Sequence, residues 1–162
     1  MDSEHAALLA FIRAGGAIAP RKRLLERCGS ADAALAAPTA LWRQCGFETR
    51  LPAAVRATDP GDAAWLEREG NHLVGWLDPD YPPLLREIPS PPLALFVSGE
   101  PARLWHPAIA VVGSRGPSAG GLRHARDFAA TLASAGVCVA SGLATGIDTA
   151  AHEAALAAGG LT

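Results

Sequence analysis

The sequence has no run of about 18 uncharged apolar residues, the length a bilayer-spanning helix needs, and its opening Met1-Asp2-Ser3-Glu4-His5 is acidic where a secretory leader is basic. The expectation is a soluble, cytoplasmic protein with no membrane partner. There is no CxxC pair, and Cys28, Cys45 and Cys138 are odd in number and far apart, which argues for free buried thiols. The five histidines never fall at HxxxH or HExxH spacing, so neither a metal nor any other cofactor is expected. Lysine is almost missing: Lys22 stands alone beside thirteen arginines. A GC-rich genome, rather than selection for phosphate binding, is the reading favoured for that bias.

What is present is enough to fold. Of 162 residues, 49% are apolar or aromatic and only 19% are charged, which suits one medium domain or two small ones and not a disordered chain. The net charge of −2 carries no global nucleic-acid footprint. Locally the balance differs, since residues 101–126 hold Arg103, Arg115, Arg123, Arg126 and two histidines without one carboxylate.

Residues 1–70 read as a compact module of small helices. Ala7, Leu8, Phe11 and Ile12 share one helical face within residues 4–14, and Gly15-Gly16 stops that helix. Further short helices are predicted at 21–28, at 31–36 after the N-cap Ser30, from Pro38 through Trp42, at 52–57 and at 61–69. Arg21, Lys22, Arg23 and Arg27 read as a solvated helix face. Residues 71–107 form a proline-rich lead-in: short strands are predicted at 72–76 and 93–97, and the six prolines of residues 78–92 leave room for only one helical turn, at 84–87.

Residues 108–162 carry the chemistry. Ala108-Ile109-Ala110-Val111-Val112 is apolar without alternation, as in a strand covered on both faces. A glycine loop, a helix ended by Gly136, a strand at 137–140, a second glycine loop and a helix at 149–158 follow: a βαβ unit with parallel neighbouring strands. Both loops then lie at the carboxyl ends of their strands and open into helix N-termini, where unpaired N–H groups favour an anion. Gly113, Gly116, Gly120 and Gly121 allow close backbone approach, Ser114, Ser118 and Ser141 offer hydroxyls, and Arg115 offers a two-pronged phosphate contact. Glycines that merely permit tight turns are the competing reading.

The ligand can be narrowed. A Walker loop needs GK[ST], and the chain has no glycine-lysine pair. A dinucleotide fold needs GxGxxG and an acidic residue ending the second strand, which here ends in Ala140-Ser141-Gly142. Asp148 and His152, four apart on one helix, could pair but lack a nucleophile, and read rather as an N-cap carboxylate and a packed histidine.

The two loops, Val112-Gly113-Ser114-Arg115-Gly116-Pro117-Ser118-Ala119-Gly120 and Ser141-Gly142-Leu143-Ala144-Thr145-Gly146-Ile147-Asp148-Thr149-Ala150-Ala151-His152, resemble those of the bacterial DprA/Smf family of DNA-processing proteins. Tyr81-Pro82-Pro83-Leu84-Leu85 looks like that family's lead-in, and the helical front looks like its sterile-alpha-motif-like domain. The resemblance implies an α/β protein: a small all-α domain followed by a Rossmann-like parallel sheet, here truncated where the family enters its next core strand. It also implies binding and protection of single-stranded DNA, loading of RecA in natural transformation, a homodimer in the intact protein, and no catalytic activity. Carried over by position, Gly113, Ser114, Arg115, Ser118, Gly120, Ser141, Gly142, Ala144 and Gly146 become DNA-binding residues. Thr145 stands where relatives often carry a basic side chain, and Gly15-Gly16-Ala17-Ile18-Ala19-Pro20 departs from a PGxGP-like hairpin. A nucleoside-monophosphate phosphoribohydrolase of the lysine-decarboxylase-like type is the rival from another class, and a fragment that binds nothing well is the third reading.

Overall fold

Asp2 starts the first helix by accepting the His5 N–H at 2.8 Å, and α1 (Ser3–Arg13) buries Ala7 to Phe11 before Gly15 and Gly16 turn the chain at positive φ. The computed structural model describes residues 2–48 and 59–162, so the helix expected at 52–57 lies outside the described residues. Two compact units emerge, Met1–Trp105 and His106–Thr162.

In the first unit, α2 (Ile18–Cys28) begins one turn earlier than its sequence suggested. Pro20 falls in its opening turn, where a missing N–H costs nothing. Gly29, at φ +78°, ends it, and Ser30 caps α3 (Ala31–Ala36) by accepting the Ala33 N–H at 3.1 Å. The α4 (Thr39–Gln44) helix inserts Trp42, fully buried, against Phe11 at 5.6 Å and Phe47 at 4.8 Å between ring centroids. Asp59 caps α5 (Pro60–Leu66), and the buried Asp62 on that helix takes a two-pronged contact from Arg13.

The basic run of α2 is solvated in part: Arg23 and Arg27 are exposed, but Arg21 is buried. Arg21 is 5% exposed and donates to the carbonyl oxygens of Phe11 at 2.7 Å, Ala17 at 3.1 Å and Gly16. A guanidinium has enough forked donors to serve the carbonyls that a helix end and its turn leave unpaired. Arg23 donates to the Cys45 carbonyl, Arg27 to Gln44, and Lys22 lies 3.5 Å over the ring of Trp76.

β1 (Asn71–Gly75) pairs antiparallel with β2 (Ala94–Ser98), Asn71 opposite Ser98 and Gly75 opposite Ala94. Leu73 and Leu93 join the helical core, while Val74, Trp76 and Tyr81 form a second cluster. Tyr81 is fully buried and donates to the Pro92 carbonyl at 2.8 Å, which ties both ends of the proline-rich connector together around the single turn α6 (Pro83–Arg86). A 3-10 helix at Pro101–Trp105, not foreseen, closes this unit.

The second unit is the βαβ unit with one more helix: β3 (Ala108–Ala110), α7 (Ala119–Ser134), β4 (Cys138–Ala140) and α8 (Ile147–Ala157). The two strands are parallel neighbours, Ala108 opposite Cys138 and Ala110 opposite Ala140, and the fold class is α/β. Ala129, Ala133, Ala151 and Ala155 form the contact of α7 with α8 around Val139. Their methyl groups let the helices approach closely. One expectation is corrected: β3 is not covered on both faces, since all three of its residues and Val112 are exposed. The helices pack on Val111 and Val139, and β3 has only β4 as a strand neighbour among the described residues.

Candidate functional site

Parallel pairing brings the two glycine loops to one edge of the sheet, and they interlock there. The Ser114 carbonyl accepts the Ile147 N–H at 3.2 Å, so the first loop caps α8. Gly146 makes this possible. Its φ is +92°, and a Cβ at that position would stand 2.9 Å from the Arg115 carbonyl oxygen and closer still to that of Ser114. Gly113 has the complementary constraint, for a Cβ there would meet the Ile147 side chain at 2.7 Å. Gly116 and Gly120 are different: added methyl groups would meet nothing within 4 Å at the first and nothing closer than 3.9 Å at the second. Packing therefore requires Gly113 and Gly146 and leaves open space at Gly116 and Gly120.

Asp148 organises the second loop. It is 6% exposed and accepts the Gly142 N–H at 3.0 Å. Burial alone would push its carboxyl up, but the N–H groups of Gly142, Ala144 and Gly113 and the Ser141 hydroxyl together hold it below the ordinary carboxylate value. Ser141 Oγ also stands 2.6 Å from the Val111 carbonyl, so its one proton is engaged inside the unit on either partner. Ala144 in turn accepts from both the N–H and the hydroxyl of Thr149. The Gly142 N–H, which the sequence offered to an external anion, is thus already served by a carboxylate of the same chain.

The first loop remains open. Ser118 Oγ caps α7 by accepting the Gly121 N–H at 3.1 Å, and Ser114 Oγ accepts the Gly116 N–H at 3.1 Å, which leaves both hydroxyl protons for other acceptors. Among the described residues nothing accepts from the N–H groups of Ala119 and Gly120, the first two of α7. Arg115 is exposed without a carboxylate partner among the described residues, and the Arg123 guanidinium lies beside Gly120. Arg103 belongs to the other unit and pairs with Glu100 at 3.3 Å, so the basic stripe here reduces to Arg115, Arg123 and Arg126.

Asp148 and His152 do not pair. Thr162 donates to the Val139 carbonyl at 2.6 Å, so its oxygen accepts from His152 Nδ1 at 2.5 Å, and His152 Nε2 is buried without a partner among the described residues. Nor is Asp148 the N-cap of α8, a position Gly146 occupies. The sequence reading missed Leu143, whose φ is +57°, the one non-glycine residue at positive φ among those described. Its side chain is 82% exposed. An apolar letter between Gly142 and Ala144 was the only available signal. Among the described residues no three His, Cys, Asp or Glu side chains cluster as metal ligands, and no helix is long and apolar enough to cross a membrane.

Residues 72–162 match the family model for DNA recombination-mediator protein A. The chain is similar to Protein Smf of Escherichia coli, with 47% identity over 98 residues that cover 60% of this chain and 26% of that protein. Against the DNA processing protein DprA of Streptococcus pneumoniae the identity is 48% over 103 residues, 62% of this chain and 36% of that one. The X-ray structure of the latter aligns with a TM-score of 0.73 at 28% identity, covering 99% of this chain and 56% of that chain. The sequence thus spans about a quarter to a third of the length of these curated relatives.

Proposed function

Because this chain belongs to the DNA recombination-mediator protein A family, a family of DNA-processing proteins, we propose that its second unit contributes a binding surface for single-stranded DNA. In this reading the complete protein is a cytoplasmic homodimer that protects such DNA and passes it to RecA during natural transformation. The observation that supports it most is the open N-terminus of α7: among the described residues its first two N–H groups have no acceptor, its two capping serines keep free hydroxyl protons, and Arg115 and Arg123 have no carboxylate to compete. That set suits a phosphodiester, which offers anionic oxygens at any base sequence. It suits binding better than catalysis, because the nearby carboxylate and imidazole are occupied in holding the loops and the chain end.

The test is an anisotropy titration with labelled oligo-dT at fixed salt. Arg115→Ala weakens binding by about 1–3 kcal/mol, a charge-assisted pair, whereas Arg68→Ala, exposed beyond α5, changes it little. Equal effects of the two substitutions would remove the assignment. Incubation with AMP addresses the phosphoribohydrolase alternative: free ribose 5-phosphate appearing in proportion to protein would replace the DNA reading with an enzymatic one.

A further inference from the structure

Among the described residues, one backbone-to-backbone hydrogen bond ties the stretch 113–117 of the first loop to the rest of the chain, from the Ile147 N–H to the Ser114 carbonyl. The Gly116 N–H turns inward to Ser114 Oγ. Bonding this sparse leaves the position of Arg115 and the two serines to packing. The space inside the loop is filled by the residue that the loop caps. A Cβ at Gly113 would stand 2.7 Å from Ile147 Cγ1 and 3.1 Å from its Cγ2, and one at Gly121, in the opening turn of α7, 3.7 Å from its Cδ1. One side chain thus lies against the chain on both sides of the loop, and Gly146, just before it, lies against the Ser114 and Arg115 carbonyls.

Core packing does not account for that side chain. The apolar cluster of this unit gathers Val111, Leu132, Val139 and the alanines of α7 and α8, and among the described residues the half-buried Ile147 is outside it. Its contacts are the glycine backbones at the two ends of the loop. A β-branched side chain has few rotamers, so its tips are placed with little freedom. Valine would keep both γ carbons against Gly113 and lose the Cδ1 near Gly121, while alanine would lose all three.

We propose that Ile147 is a positioning residue for the phosphate site: it touches no ligand, and its side chain supports the first glycine loop from beneath so that Arg115, Ser114 and Ser118 converge at the α7 N-terminus. This rests on the single-stranded DNA reading and adds what holds the binding loop in shape. The second loop and the start of α8 then serve the first as its support.

The experiment combines anisotropy with labelled oligo-dT at fixed salt, NMR order parameters of the loop amides and thermal unfolding, all on the 162-residue chain. Ile147→Ala weakens oligo-dT binding about fivefold and Ile147→Val about twofold. In an Arg115→Ala background, Ile147→Ala costs less than about twofold more, because the main group it positions is gone. The order parameters of the Ser114, Arg115 and Gly116 amides fall from about 0.85 to below about 0.6 in Ile147→Ala and hold in Arg115→Ala. Leu132→Ala opens a cavity in the apolar cluster of the same unit, lowers the unfolding midpoint at least as far, and keeps both binding and loop order. If Arg115→Ala weakens binding while Ile147→Ala binds as the unaltered chain does, or if Leu132→Ala weakens it as much as Ile147→Ala, the positioning role is overturned and the DNA site stands. If the unaltered chain does not bind oligo-dT, the DNA reading falls, and this inference falls with it.

Discussion

Gly146 and Gly116 differ in what stands opposite their missing side chains, carbonyl oxygens in one case and open space in the other. Gly146→Ala therefore destabilises the chain by about 1–3 kcal/mol in denaturant titration, and Gly116→Ala stays within about 0.5 kcal/mol. Asp148 gives a pH signature. Its folded pKa lies below the usual 3.8, so the stability it contributes is complete above that unfolded value and is lost as pH falls through the lower folded one. Unfolding midpoints should show the unaltered chain losing stability on acidification below about pH 4. Asp148→Asn, less stable at neutral pH, should lack that loss. At this scale the sequence was only partly legible. It pointed to the loop glycines as a set, but which of them packing requires depends on Ile147 and on carbonyls some thirty residues distant. That Asp148 would turn back to the Gly142 N–H, and that Leu143 would take a left-handed conformation, had no counterpart in spacing.

Elements with local signals were read well. The Ser30 cap, the Gly29 stop and the parallel strands flanking α7 follow from short-range chemistry and the handedness of a βαβ crossover. Ser118→Ala removes the equivalent cap from α7 and should cost about 1 kcal/mol, measured by thermal unfolding. What depends on distant partners was not readable. β1 pairs with β2 across a proline connector whose ends the Tyr81–Pro92 hydrogen bond joins, and the reading of Arg21 as solvated failed because its acceptors lie on α1 and the following turn. Arg21→Met leaves those carbonyls in the interior without donors. Its cost should reach at least about 2 kcal/mol, since hydrogen bonds to a charged group are each worth about 1.5–3 kcal/mol, and the same unfolding measurement reports it.

For the whole molecule, a net charge of −2 limits how strongly it can attract a polyanion. The second unit offers a few donors around one helix end in place of a long basic groove, so two to four phosphate contacts, at about −0.7 each, set the salt slope near −1.4 to −2.8. Anisotropy across a salt series measures it, and a slope beyond about −5 would contradict that number of contacts. The shallow slope has a counterpart in dynamics. Because Asp148 holds the Gly142 amide before any ligand arrives, a strand bound as proposed need not order that part of the loop. Deuterium should consequently enter the Gly142 amide slowly in the free protein and at the same rate with DNA added. The Ala119 and Gly120 amides, open until a phosphate covers them, should exchange quickly and slow down only in the complex.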